Sequence, residues 1–160
     1  MTYVAHYHSP LGLITLASNG DALTGLWFEG QKYFGAGMET AREEKALSVF
    51  AETKRWLDLY FQGMIPDFTP LLHFEGSAFR KSVWERLLLI PYGKTVTYGD
   101  LAGQIAKKMS AQAVGGAVGH NPIAIIVPCH RVVGANGSLI GYAGGIDKKE
   151  KLLALEKKEV

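Results

Sequence analysis

Residues 97–119 read TYGDLAGQIAKKMSAQAVGGAVG, and the fold turns on this stretch. Thr97 and Asp100 have the spacing of an N-terminal capping box, so Thr97-Tyr98-Gly99-Asp100 opens a helix that buries Leu101 and Ile105. Lys107-Lys108-Met109 is a tight connector, and Ser110 caps a second helix from Ala111 to Gly119. Two short helices joined by a few residues make a helix-turn-helix. Gly115, Gly116 and Gly119 each cost the second helix about 1 kcal/mol relative to alanine, so something must require them. Val114 and Val118 form the buried stripe, whereas Gln112, Gly115, Gly116 and Gly119 fall on the opposite face. A face without side chains suits close approach of another surface. Another helix of the same protein and an external ligand both satisfy that condition.

Upstream, Ser77 is an N-cap for a helix carrying Phe79, Val83, Leu87 and Ile90 on one face, stopped by Pro91-Tyr92-Gly93. Thr95-Val96-Thr97 is a short β-like link. The Pro/Gly-punctuated stretch through Gly63, Pro66, Pro70 and Gly76 divides the chain into residues 1–75 and 76–160. In the first part Tyr3–His8, Leu13–Ala17 and Leu23–Phe28 are strand-like, separated by Ser9-Pro10-Leu11-Gly12 and the hairpin signal Asn19-Gly20-Asp21. From about Thr40 to Phe61, Ala46, Val49, Phe50, Thr53, Trp56, Leu57 and Tyr60 recur at three-and-four spacing, the stripe of an amphipathic helix. The expected fold is therefore an α/β N-terminal scaffold domain, a small sheet plus a helix, followed by a mainly α domain with the helix-turn-helix.

Composition sets the outer limits. At 160 residues, 48% hydrophobic and 20% charged, the chain has apolar surface enough for a folded core, which excludes fibrous and disordered classes. No run approaches the roughly 18 apolar residues of a membrane span, and Met1-Thr2-Tyr3-Val4 lacks a signal peptide's basic and apolar regions. A cytoplasmic protein is expected, nucleoid-associated in a prokaryote. The single cysteine excludes an intramolecular disulfide and any multi-cysteine zinc site. Net charge is +2, yet residues 1–75 hold five Lys/Arg against nine Asp/Glu, and residues 76–160 hold twelve against six. That split offers a polyanion one side of the molecule, although a random distribution of surface charge can also produce it.

The chemistry sits after the glycine-rich helix. Asn121-Pro122 ends it, and the apolar run Ile123-Ala124-Ile125-Ile126-Val127 leads to Pro128-Cys129-His130-Arg131-Val132-Val133. A thiol at the end of a buried segment has its pKa raised, so a working nucleophile needs a base or positive charge nearby, which His130 supplies. Adjacent side chains do not normally face each other, so the imidazole must reach sulfur through a tight turn or a bridging water. A third group is then needed to orient the imidazole.

The stretch Pro128-Cys129-His130-Arg131-Val132-Val133 resembles the active-site signature of the O6-alkylguanine-DNA alkyltransferases, also called methylated-DNA–protein-cysteine methyltransferases. The resemblance extends through Thr97-Tyr98, Ala113-Val114-Gly115-Gly116-Ala117, Asn121-Pro122, Gly141-Tyr142-Ala143-Gly144-Gly145 and the helix ending Leu152-Leu153-Ala154-Leu155-Glu156. Ser9-Pro10-Leu11-Gly12 and Leu26-Trp27-Phe28-Glu29-Gly30 look like the family's N-terminal domain. The resemblance implies an RNase H-like first domain and a winged helix-turn-helix in the second. It also implies repair of O6-alkylguanine, with O4-alkylthymine left open as a second substrate, in double-stranded DNA, by single-turnover transfer of the alkyl group to Cys129 after base flipping.

The same resemblance assigns roles. His130 deprotonates Cys129 through a water, Glu156 orients His130, and Asn121 organises the turn that carries the nucleophile. Tyr98 promotes extrusion of the nucleotide and donates a proton toward the departing guanine. Backbone carbonyls of Val132 and Cys129 accept the exocyclic amine, while Tyr142, the Ala143 amide and Gly144 line the pocket. The helix bearing Gln112, Ala113, Gly115, Gly116 and Gly119 enters the minor groove, with Lys107 and Lys108 as phosphate contacts. No metal or organic cofactor is called for, and a monomer is expected, with cooperative assembly on DNA as a variant. Physics agrees: a bare face suits a narrow groove, and a base attacked at O6 must leave the stack.

Two residues depart from the family pattern. Gln112 stands where an arginine finger is usual, and Ala143 where serine is frequent, losing a hydroxyl but keeping the amide. Two alternatives stay open: a protein that flags alkylguanine without chemistry, which Cys129 argues against and Gln112 keeps open, and a Cys/His hydrolase of small esters, which needs no bare helix. Arg131 reads either as a phosphate contact or as an internal ion-pair partner. His6 and His8 share a strand face but read as surface residues rather than ligands. The Lys148–Lys158 segment alternates in sign and reads, Glu156 apart, as a solvated face. Gly134–Gly137 reads as a hairpin turn.

Overall fold

The computed structural model describes residues 1–32, 34–35, 42–105, 110–139 and 141–157. Strands β1 (Thr2–Ser9), β2 (Gly12–Ser18) and β3 (Leu23–Phe28) form antiparallel hairpins, and β4 (Arg42–Glu44) adds to β1 in parallel, giving the order β3-β2-β1-β4. The second hairpin closes as its sequence dictates. Asn19 Oδ1 accepts the Asp21 and Ala22 N–H groups at 3.0 and 2.9 Å, and Gly20 takes a positive φ of 111°.

Helix α1 (Ser48–Phe61) buries Val49, Phe50, Thr53, Trp56, Leu57 and Tyr60, as the periodicity requires. It starts later than the pattern suggests. Ala46 is exposed ahead of it, Arg42–Glu44 are extended, and Thr40 lies outside the described residues. Three strand residues paired with β1 leave almost no local signature, because their partner lies some forty residues away. In the second half come α2 (Ala78–Leu87), β5 (Val96–Thr97), α3 (Tyr98–Ile105), α4 (Ala111–Gly119), β6 (Val132–Val133) and α5 (Ile146–Lys157), with β5 and β6 parallel.

The caps behave as read. Ser77 Oγ accepts Arg80 N–H at 3.1 Å, Ser110 Oγ accepts Ala113 N–H at 3.0 Å, and Thr97 and Asp100 bond reciprocally at 3.0 and 3.4 Å. Leu101 and Ala102 form the buried face of α3, while Ile105 is only half-buried. Lys107, Lys108 and Met109 lie outside the described residues. Gly134 N–H donates to Ser138 O at 2.8 Å, closing a turn in which Asn136 has φ 68°.

One apolar core runs from Ile14, Leu16 and Phe28 in the sheet, through Leu57 and Tyr60 of α1, to Val83, Leu101, Val114 and Leu152. Backbone bonds also join the halves. Leu26 N–H donates to Pro122 O at 2.9 Å, and Ala124 N–H to Leu26 O at 3.0 Å, so strand β3 holds the turn that precedes the cysteine. Among the described residues no helix is long and apolar enough to cross a membrane.

Candidate active site

Between α4 and Cys129 the chain folds into a turn that is buried from Ile123 to Pro128. Asn121 is its clamp: Nδ2 donates to Val127 O at 2.8 Å, and Oδ1 accepts Ile123 N–H at 3.0 Å. Within that clamp Ile125 takes φ 69°, a left-handed conformation that strains a β-branched residue and persists only because its surroundings over-determine it. Cys129–Arg131 then make one 3-10 turn.

Cys129 is 8% exposed, and burial pushes its thiol up to about 11. The Asn121 side chain, bonding to the sulfur, and the Lys149 charge both oppose that rise. His130 is fully buried. Its Nε2–H donates to Glu156 Oε2 at 2.6 Å, which makes Nδ1 the acceptor nitrogen, and Nδ1 has no protein hydrogen-bond partner among the described residues. Burial holds the imidazole below its ordinary pKa despite the carboxylate, with Arg131 and Lys149 acting in the same direction. Glu156 already has a cationic partner in Arg131, so His130 rests neutral and able to accept a proton.

Glu156 gathers five donors. Oε1 accepts Arg131 Nε–H at 2.9 Å and Gly93 N–H at 3.0 Å, and Oε2 accepts His130, Tyr60 Oη–H at 2.7 Å and Arg131 Nη2–H at 3.1 Å. Burial raises this carboxyl, but the bonds from His130, Arg131 and Tyr60 outweigh it and hold it down at about 2. Arg131 also donates to Ile90 O at 2.8 Å and is 8% exposed, so it is the internal ion-pair partner rather than a phosphate contact.

Lys149 corrects the reading of 148–158 as a solvated face. It is 0% exposed, its Nζ donates to Val132 O at 2.6 Å, and it lies 5.8 Å from the Tyr98 ring centroid. Burial lowers its pKa to about 8, while the nearby Cys129 opposes the shift. Nothing in the alternating charges of α5 distinguishes it; only the packing of α5 over the 3-10 turn does. Lys149→Met, close in volume, is expected to push the Cys129 thiol above its present value. Iodoacetamide modification should then slow about tenfold at neutral pH, with its midpoint moved to higher pH.

Tyr98 is half-buried, and burial together with the Cys129 charge raises its hydroxyl to about 12, so it is a donor at neutral pH. Its ring lies against Gly115, where an added Cβ would sit 3.6 Å from it, and its hydroxyl against Gly141, at 3.0 Å. The glycine face of α4 is thus divided. Gly115 faces Tyr98, whereas a Cβ on Gly116 or Gly119 would meet nothing within 4 Å. Gln112 and Ala113 are exposed, and Gln112 lines a groove of about 580 Å³ with Tyr98, Gly115, Ala135 and Gly141.

Tyr142 is buried with its hydroxyl unpaired by protein among the described residues, and burial raises its pKa further. Gly144 is needed beside it: a Cβ there would lie 2.7 Å from the Tyr142 ring and 3.1 Å from Phe28. Ala143 O accepts Lys32 N–H at 3.0 Å, tying this loop to the first half. His6 and His8 are exposed, with His6 3.0 Å from Glu44; among the described residues no cluster of three metal-binding side chains occurs.

Comparison with known proteins finds two family models that match this chain. The model for "6-O-methylguanine DNA methyltransferase, ribonuclease-like domain" matches residues 2–72, and that for "6-O-methylguanine DNA methyltransferase, DNA binding domain" matches residues 78–158. The methylated-DNA–protein-cysteine methyltransferase of Mycolicibacterium paratuberculosis is 47% identical, covering 94% of this chain and 89% of that protein. Its namesake from Methanosarcina acetivorans is 46% identical, with 96% and 97% covered. The crystal structure of Mycobacterium tuberculosis OGT in complex with DNA matches with a TM-score of 0.86 at 44% identity, covering 98% of this chain and 93% of that one. With both halves matched and nearly half the residues identical along their length, the chain belongs to the 6-O-methylguanine DNA methyltransferase family.

Proposed function

We propose that this protein repairs O6-alkylguanine in duplex DNA by moving the alkyl group irreversibly onto Cys129. The observation that carries the reading is a lone buried thiol placed beside a neutral imidazole whose other nitrogen is fixed by a carboxylate. The thiol proton passes to His130 Nδ1 through a bridging water, leaving a thiolate supported by Asn121 and the Lys149 ammonium. The sulfur attacks the alkyl carbon and an S–C bond forms. The O6–C bond breaks with its electron pair retained by guanine, which takes a proton from the Tyr98 hydroxyl. Carbonyls of Val132 and Cys129, with Tyr142 and the Ala143 amide, hold the base, and Gly144 leaves room for the Tyr142 ring. Thioether formation consumes the nucleophile, so each chain acts once.

DNA is the partner, and the open side of α4 at Gly116 and Gly119 suits a minor groove that long side chains would hold off. The protein is proposed to act as a monomer. The activating groups converging on Cys129 favour chemistry over a role as a lesion flag. Hydrolysis of small esters leaves the bare helix face unexplained.

Intact-mass analysis after mixing with an O6-methylguanine duplex tests the proposal. One methyl group per chain is expected, absent in Cys129→Ser; an unchanged mass in the wild type refutes it. Gln112 is proposed to fill the space the flipped base leaves, more weakly than a longer cation would. Gln112→Arg should tighten binding to lesion duplex and steepen its salt dependence by about one unit of slope, measured over a salt series. Unchanged affinity at matched salt would place Gln112 elsewhere.

A further inference from the structure

The hydroxyl of Tyr60 belongs to the last turn of α1, in the first half of the chain, yet it ends on the carboxylate of the second half's α5. Tyr60 is fully buried, and a buried phenol is costly unless its hydroxyl is bonded. The partner here is Glu156 Oε2, the same oxygen that receives His130 Nε2–H, at 2.7 and 2.6 Å respectively. The ring cannot swing away. Trp56 stacks on it at 5.3 Å and 11°, and Phe61 and Tyr92 meet it edge-on at 5.4 and 6.1 Å.

We propose that Tyr60 is a positioning residue for alkyl transfer: its hydroxyl fixes Glu156 Oε2 against His130 and draws charge from it, keeping the imidazole neutral with Nδ1 as the base. The proposal rests on the reading of Cys129 as the alkyl acceptor. A carboxylate oxygen that gives density to a phenol has less for the imidazole N–H, so it stabilises the imidazolium less. The other groups facing His130 are Glu156 and Lys149 from α5 and Arg131 from its own turn, with the Tyr92 ring 5.6 Å from the Arg131 guanidinium. Among these Tyr60 is the contribution of α1, so the first half of the chain tunes the base as well as supporting it.

The test is Tyr60→Phe, which keeps the ring and removes the bond. Single-turnover transfer from an O6-methylguanine duplex should slow about three- to tenfold on its pH plateau. Its acid limb should move to higher pH as His130 becomes more basic, while DNA affinity at matched salt stays put. Introducing 3-fluorotyrosine at position 60, whose hydroxyl is a stronger donor in an unaltered core, should move the acid limb to lower pH. Trp56→Phe, which loosens the same packing but keeps the hydroxyl, should lower thermal stability and leave the limb in place. An unmoved limb and rate in the first two variants, or an equal shift in Trp56→Phe, would overturn the proposal. The Nε2 proton resonance of His130 reports the same bond without any transfer and should move downfield in Tyr60→Phe. A wild type that gains no methyl group would therefore sink the proposed function while leaving Tyr60 still decided by that resonance.

Discussion

Glu156→Gln is expected to cut the rate of alkyl transfer by about 10²–10⁴-fold, the range that general-base help supplies, while leaving DNA affinity unchanged. The carboxylate is 2% exposed and cannot touch DNA, so binding has no reason to fall. An amide must present its NH2 to one of two sets of donors: Arg131 Nε and Gly93 N–H, or His130, Tyr60 and Arg131 Nη2. Turned toward His130, it forces Nε2 to accept and places the proton on Nδ1, which removes the base from Cys129. Turned the other way, it sets two donors against a third. In both cases Arg131 keeps its buried charge and loses its counter-charge, at a cost of about 3–5 kcal/mol of stability. Single-turnover kinetics and equilibrium binding on one lesion duplex separate the effects; a loss of binding equal to the loss of rate would contradict the orienting role.

The same carboxylate fixes the direction of acid sensitivity. Its folded-state pKa of about 2 lies below its ordinary 4.5, so its contribution is complete above about pH 4.5 and is lost as pH falls toward 2. His130 is also held below its ordinary 6.5, so the unfolded chain takes up that proton first. Thermal melts should therefore begin to weaken below about pH 6.5 and steepen below 4.5, and Glu156→Gln should flatten the lower part of that curve.

The second large effect is expected at Asn121. Asn121→Ala leaves Ile123 N–H without a partner inside a buried turn and Val127 O with only the Cys129 N–H, and the unpaired donor costs about 1–3 kcal/mol. It also releases the strained Ile125 and removes the side-chain donor that opposes the rise in the Cys129 pKa. The variant should melt well below the wild type by calorimetry, and the thiol of the remaining folded protein should react more slowly with iodoacetamide at neutral pH. Wild-type stability would show that the turn does not depend on this clamp.

Much of this architecture is written in local pattern. The caps at Ser77, Ser110 and Thr97/Asp100, the hairpin at Asn19-Gly20-Asp21 and the stripe on α1 each concern residues within a few positions of one another, where spacing alone carries the physics. The Cys129-His130 pair and the bare face of α4 were legible for the same reason. The pairing of β4 with β1 was not, because a three-residue strand has no period to read. Nor was the division of the glycine face, since Gly115 differs from Gly116 only in lying under Tyr98.

The amino-acid sequence by itself determined the order of the helices and of the first three strands, and it singled out the residues proposed as nucleophile and base. The tertiary structure alone decided which charges of α5 are buried, turning Lys149 inward to Val132 O, and which residues share Glu156, bringing Tyr60, Gly93, His130 and Arg131 to one carboxylate from four separate segments. Helix and turn signals arise from neighbours along the chain, whereas a buried charge network exists only once distant segments have packed and excluded water.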